Sequence, residues 1–84
     1  MSFYARYSSY NIGNSSYKGN SIVDGLKTAG YGNLSSYGAR ERLAEMNGIY
    51  NYRGTPEQNT YMLNKLKNGN LKVGESGYFR YSNY

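Results

Sequence analysis

Apolar positions divide the chain into two polar ends and a middle that carries most of its aliphatic side chains. Residues 1–19 and 70–84 are rich in Tyr, Ser, Asn and Gly, whereas residues 20–69 hold most of the Leu, Ile, Val, Met and Ala. Within the middle, apolar residues recur three and four positions apart, as on one face of an amphipathic helix. We therefore predict one small domain over residues 1–84, with a helical core at 20–69.

Capping signals predict where three helices begin and end. The clearest is "TPEQNTYMLNKLKNG", where Thr55 is the N-cap, Pro56 occupies the first helical position and Gln58 completes a capping box. The other two also start at small polar residues, and each of the three ends at a glycine. The predicted limits are Asn20 or Ser21 to Gly30, Ser35 or Ser36 to Asn47-Gly48, and Thr55 to Asn68-Gly69.

The apolar stripes of these helices predict a shared core. Isolated helices shorter than about 12–15 residues are marginal in water, so the three must stabilise one another by packing. The fold class predicted is mainly α, a small three-helix bundle. Its predicted core residues are Ile22, Leu26, Leu43, Met46, Leu63 and Leu66.

The two ends share the pattern Tyr-x-Arg-Tyr-Ser-x-Tyr, at residues 4–10 and 78–84. Mixed aromatic and polar residues without a helical stripe favour strands, and Leu71 and Val73 alternate with polar neighbours. We predict short Tyr-rich terminal strands that pair, which adds α+β character, and that contact a second copy of the chain. The alternatives are disordered tails and a repeat that arises by coincidence among 12 tyrosines. The predicted oligomer contacts are Tyr4, Arg6, Tyr7, Tyr10, Tyr78, Arg80, Tyr81 and Tyr84.

Composition argues against catalysis and metal binding. The chain has no Cys and no His, so disulfides are absent and metal ligation would depend on five scattered carboxylates. Glu41 and Glu45 are one helical turn apart, but Arg40 and Arg42 flank them, which is typical of a solvated, charge-paired face. We predict no enzyme activity, no cofactor and no metal.

Charge and hydropathy bear on partners and location. The net charge of +5 favours a polyanionic partner, although it also serves solubility alone. No apolar run approaches the ~20 residues of a membrane span, and the start "MSFYARYSSY" does not resemble a signal peptide. If the protein acts at the cell wall or outside the cell, we expect it to be cytoplasmic before release and to leave without a signal peptide.

The segment "GIYNYRGTPEQN" concentrates binding chemistry ahead of the third helix. Tyr rings stack on sugars and bases, and Arg binds carboxylate or phosphate through two parallel hydrogen bonds. The competing interpretation is that Tyr50 and Tyr52 only cover the small core. The candidate ligand-binding residues are Tyr37, Arg40, Arg42, Tyr50, Tyr52 and Arg53.

Residues 21–71 resemble the cell-wall-binding modules of endolysins and amidases from phages of Gram-positive bacteria. The shared stretches are "SIVDGLKTAG", "ARERLAEMNGI" and "YRGTPEQNTYMLNKLKNGNL", the last with the distinctive Gly54-Thr55 and Gln58-Asn59. The resemblance implies non-covalent attachment to peptidoglycan or its secondary polymers, with cleavage by a separate or fused lytic domain. We expect no catalytic domain within these 84 residues, and the Tyr-rich ends lie outside the resemblance.

Two other functions fit the same composition. Tyr platforms and positive charge also suit a single-stranded nucleic-acid-binding protein, whose affinity should fall steeply with salt. A self-assembling structural or virion protein would use the repeated terminal segments as its contact surface. We predict wall-polymer binding, with nucleic-acid binding and self-assembly as the alternatives.

Overall fold

The computed structural model describes residues 9–74, which form three α-helices, a short 3-10 helix and a two-stranded sheet. The predicted fold class, a small three-helix protein with paired strands near its ends, is confirmed for this part of the chain. In chain order the elements are β1 (Ser9–Ile12), α1 (Ile22–Thr28), the 3-10 helix (Gly32–Leu34), α2 (Tyr37–Met46), α3 (Pro56–Lys67) and β2 (Leu71–Gly74).

Each helix starts at a predicted side-chain cap. The hydroxyl oxygens of Ser21, Ser36 and Thr55 accept hydrogen bonds from the backbone N–H three residues further on. At α3 the capping box is complete, because the Gln58 side chain also accepts from the Thr55 N–H at 3.3 Å. These contacts satisfy donors that the first turn of a helix leaves unpaired, so the starts are fixed locally.

The helix ends also follow the sequence. The chain leaves α1, α2 and α3 through Gly30, Gly48 and Gly69, whose φ angles are +90°, +92° and +75°. Side-chain-bearing residues rarely adopt this left-handed conformation, which is why glycine ends a helix efficiently.

The core lies between the three helices and the inner face of the sheet. Five of the six predicted core residues are buried there, and Met46 is half-buried because α2 directs Leu43 and Ala44 inward. The sequence-based core was too small, since the strands and the loop before α3 also contribute. The buried apolar residues are Ile12, Ile22, Leu26, Leu34, Leu43, Ala44, Tyr52, Met62, Leu63, Leu66, Leu71 and Val73.

The sheet joins the two ends of the described segment. β1 and β2 are antiparallel, with Ser9 opposite Gly74 and Ile12 opposite Leu71. Leu71 and Val73 face the core, as their alternation predicts. Among the predicted oligomer contacts only Tyr10 is described, and it lies opposite Val73. Those at Tyr4, Arg6, Tyr7, Tyr78, Arg80, Tyr81 and Tyr84 lie outside the described residues and stay predictions.

The helices are too short or too polar to span a bilayer. Within residues 9–74, none combines the length and the apolar composition that a membrane crossing requires.

Candidate functional site

Tyr52 lies in the core beneath the loop that connects α2 to α3. The residue is 6% exposed, and its hydroxyl both accepts and donates a hydrogen bond. It accepts a hydrogen bond from Arg40 Nη1 at 3.1 Å and donates one to Asn59 Oδ1. Arg40 is held in turn by its Nε–H, which donates to the Ser35 carbonyl at 3.1 Å. A buried hydroxyl is tolerated only when it is hydrogen-bonded in this way.

Tyr37 and Arg40 cover Tyr52 on its outer side. The two tyrosine rings are 5.5 Å apart between centroids and tilted by 41°, and the Arg40 guanidinium carbon lies 5.9 Å from each centroid. The Tyr37 hydroxyl donates to the Tyr52 carbonyl at 3.4 Å. Tyr37, Arg40 and Tyr52 therefore form an aromatic–arginine cluster that joins α2 to the loop.

Burial raises the pKa of the Tyr52 hydroxyl above its ordinary value, while the nearby Arg40 acts in the opposite direction. Removal from water disfavours the charged phenolate, and here it outweighs the attraction of the guanidinium. Tyr52 is therefore neutral at physiological pH and serves as a hydrogen-bonding core residue.

Gln58 and Asn59 fix the course of the loop. Gln58 Oε1 accepts from the Arg53 N–H at 2.7 Å, and its Nε2 donates to the Asn51 carbonyl at 3.1 Å. Asn59 Nδ2 donates to the Gly54 carbonyl at 3.3 Å. Backbone groups on a loop must find partners, and these two side chains from α3 supply them. The two side chains thus connect the loop backbone at Asn51, Arg53 and Gly54 to α3.

This loop presents Tyr50 beside α3, where two shallow grooves meet. One groove, of ≈ 390 Å³, lies between residues 48–51 and α3, and the other, of ≈ 490 Å³, runs along α3. Both are lined by Glu57 and Tyr61. Tyr50 is 79% exposed and Tyr61 46%. We call this surface the Tyr50–Tyr61 face; its members are Tyr50, Asn51, Glu57, Thr60, Tyr61 and Asn64.

The electrostatics of the Tyr50–Tyr61 face are balanced. Glu57, Tyr61 and Lys65 follow one another at four-residue spacing, so they share one side of α3. The Lys65 ammonium lies 5.3 Å from the centre of the Tyr61 ring, a cation–π distance. The face therefore combines two accessible aromatic rings, amide groups, one carboxylate and one neighbouring ammonium.

The six predicted ligand-binding residues do not form a single site. Tyr50 belongs to the Tyr50–Tyr61 face, whereas the exposed Tyr37, the half-buried Arg40 and the buried Tyr52 form the cluster that joins α2 to the loop. Arg53 is exposed on the loop. Arg42 is half-buried on α2. Because it follows Arg40 by two positions, it projects from nearly the opposite side of the helix and does not join the cluster.

Sequence reasoning missed Tyr61. The dominant sequence pattern in α3 is the apolar stripe of Met62, Leu63 and Leu66, which does not include Tyr61. A signal was present: Tyr61 is four residues from both Glu57 and Lys65, and this spacing places it on the solvent side of the helix. An aromatic residue on a charged helix face was the informative feature.

The acidic residues of the described segment form no cluster of the kind that holds a metal ion. Residues 9–74 contain no group of three or more His, Cys, Asp or Glu residues close enough to hold a metal ion. Glu41 and Glu45 are both exposed on α2, away from the two grooves.

Comparison with known proteins gives one informative similarity. No family model matches the chain, and no solved structure matches it. The chain is 54% identical over 35 residues to an endolysin of Listeria phage A511. The matched stretch is 42% of this chain and 10% of that endolysin, so the chain corresponds to about a tenth of its relative's length.

Proposed function

We propose that this protein binds a bacterial cell-wall glycopolymer, peptidoglycan or a secondary wall polymer, and does not cleave it. The observation that carries the proposal is the Tyr50–Tyr61 face, where two exposed tyrosines line adjoining grooves beside amide and carboxylate side chains. A phage protein that engages the wall of its host would need such a surface.

The chemistry of the face suits a carbohydrate. Tyrosine combines a flat apolar ring with a polar hydroxyl, so it can cover the apolar face of a sugar and hydrogen-bond at the rim. Asn and Glu side chains accept from sugar hydroxyls, and Asn also donates. Because Gln58 already holds the loop, Tyr50 is presented with little ordering cost on binding.

The local similarity to a phage endolysin supports a role at the bacterial wall. In this proposal bond cleavage belongs to a separate or fused lytic domain. The absence of His and Cys from the sequence is compatible with this division of roles. The protein would act at the wall after release from the cell.

In this proposal the other predicted binding residues do not stack on the ligand themselves. Tyr37, Arg40 and Tyr52 act indirectly, because their hydrogen bonds and ring contacts hold the loop that carries Tyr50. Arg53 supplies positive charge on the loop, and Arg42 supplies it on α2. Neither alternative, nucleic-acid binding or self-assembly, is favoured by a feature of the face.

Sedimentation with purified Gram-positive cell walls tests the proposal. We expect the labelled protein to cosediment with walls, and Tyr50→Ala and Tyr61→Ala each to reduce the bound fraction several-fold with far-UV CD unchanged. Tyr10→Ala is a matched control, since Tyr10 is 48% exposed but lies on β1 outside the face. A folded wild type that stays in solution, or two variants that bind like the wild type, would overturn the proposal.

A further inference from the structure

We infer that the Tyr50–Tyr61 face contains two sugar subsites divided by Tyr61, and that its ligand is an uncharged, N-acetylated glycan chain of at least two sugars. The inference rests on the proposed function and narrows it, because it selects the neutral glycan over an anionic secondary polymer of the wall.

The shared lining of the two grooves indicates two subsites. Glu57 and Tyr61 line both, whereas Tyr50 and Asn51 line only the first and Asn64 only the second. Both grooves are shallow and open to solvent, with volumes of ≈ 390 and ≈ 490 Å³. A ligand that fills one groove therefore ends at Tyr61, and only a longer chain reaches both.

Each groove contains one asparagine side-chain amide that makes no hydrogen bond to the described part of the protein. The side-chain amides of Asn51 in the first groove and Asn64 in the second make no hydrogen bond within residues 9–74. An amide that donates and accepts matches the acetamido group, which has one N–H and one C=O. One such group per subsite corresponds to an N-acetylated sugar at each position of a chain.

Charge selects against an anionic polymer at this face. The Glu57 carboxylate borders both grooves, and a phosphate-bearing chain would place like charges beside it. Lys65 is the cation on the same side of α3, so the face is close to neutral. None of the described cations lines either groove: Lys18, Lys27, Arg40, Arg42, Arg53, Lys65, Lys67 and Lys72.

Oligomers of N-acetylglucosamine provide the first test. By calorimetry we expect affinity to rise at least tenfold (about 1.4 kcal/mol) from the monosaccharide to the tetrasaccharide. It should change little from about 50 to about 500 mM NaCl, because no counterions are released. An affinity independent of length, or a steep loss with salt, would overturn the inference.

Variants assign the subsites. Tyr50→Ala, in the first groove, and Asn64→Ala, in the second, should each weaken tetrasaccharide binding several-fold, and Tyr61→Ala should abolish it. Asn33→Ala, an exposed change on the 3-10 helix, is the matched control for Asn64→Ala and should bind normally. If Asn64→Ala binds the tetrasaccharide as tightly as the control does, the second subsite does not exist.

Walls with and without teichoic acids separate this inference from the proposed function. Binding that survives removal of teichoic acids supports the neutral glycan as ligand. Binding to untreated walls that disappears after removal overturns the inference and leaves wall binding in place. Failure to bind untreated walls defeats both.

Discussion

The side-chain amide of Asn47 pairs with the backbone of Lys72 through two hydrogen bonds, as a neighbouring strand would. Its Nδ2 donates to the Lys72 carbonyl and its Oδ1 accepts from the Lys72 N–H, both at 2.9 Å. The same Nδ2 donates to the Leu43 carbonyl at 2.8 Å. Asn47 is the C-cap of α2 and is 9% exposed, so one buried residue ends a helix and attaches it to β2.

Asn47→Ala should therefore lower the free energy of unfolding by about 1–3 kcal/mol, since it removes the side-chain partner of the buried Leu43 carbonyl and of the part-buried backbone groups of Lys72. Chemical denaturation measures the loss. Asn68→Ala is the matched control, because Asn68 is the exposed C-cap of α3 and makes no side-chain hydrogen bond within residues 9–74. Equal stability losses in the two variants would show that the pairing with Lys72 contributes nothing.

Replacing Tyr52 by Phe should cost about 1–3 kcal/mol of stability, because the change removes one hydroxyl and leaves Arg40 Nη1 and Asn59 Oδ1 short of a partner. Tyr37→Phe removes a hydroxyl from the neighbouring ring, but that ring is 50% exposed and its contact is longer, so the loss should be smaller. Thermal unfolding compares the two, and the reverse order would contradict the assignment of Tyr52 to the core.

The raised pKa of Tyr52 predicts a loss of stability in alkali. The folded state holds the phenolic proton more tightly than the unfolded state, so the stabilisation is complete below the unfolded pKa, about 10. It declines as pH rises from there through the folded pKa. Denaturation at a series of pH values should show this decline in the wild type and a shallower one in Tyr52→Phe. Parallel curves would exclude Tyr52 as the source.

Gln58 should control wall binding through the loop that carries Tyr50. Gln58→Ala removes the acceptor for the Arg53 N–H and the donor to the Asn51 carbonyl, so hydrogen exchange at Arg53 should accelerate and wall affinity should fall. Gln58→Glu keeps the acceptor and loses only the donor, and we expect it to lie between the wild type and Gln58→Ala. Fast exchange with undiminished binding would mean that loop order is not needed.

Two glycines should respond to alanine in opposite directions. A Cβ at Gly13 would lie 2.5 Å from the Gly69 Cα, where the chain after β1 crosses the end of α3. Gly13→Ala should therefore destabilise by about 1–3 kcal/mol, as overpacking does. Gly38, in the first turn of α2, has open space around it, and Gly38→Ala should stabilise by about 0.5–1 kcal/mol. Similar effects of both changes on the melting temperature would contradict the close approach at Gly13.

The helices could be placed from sequence because their limits depend on neighbouring residues. Ser36 and Thr55 bond to N–H groups three positions away, and Gly48 and Gly69 supply the left-handed conformation in which α2 and α3 end. These interactions involve only residues that are close in the chain, so the local sequence is enough to predict them. The same holds for the inward alternation of Leu71 and Val73.

Only the tertiary structure determined which aromatic residues are buried and which are exposed. Tyr50 and Tyr52 are two positions apart in a loop without periodicity, yet one is 79% exposed and the other 6%. The Tyr52 hydroxyl is bonded by Arg40 and Asn59, which lie on separate helices, and its ring packs in the core. Likewise, Tyr61 lines a groove with Tyr50 only because packing places the loop alongside α3. Burial depends on contacts between residues far apart in the chain, and local sequence does not encode which of two similar side chains will make them.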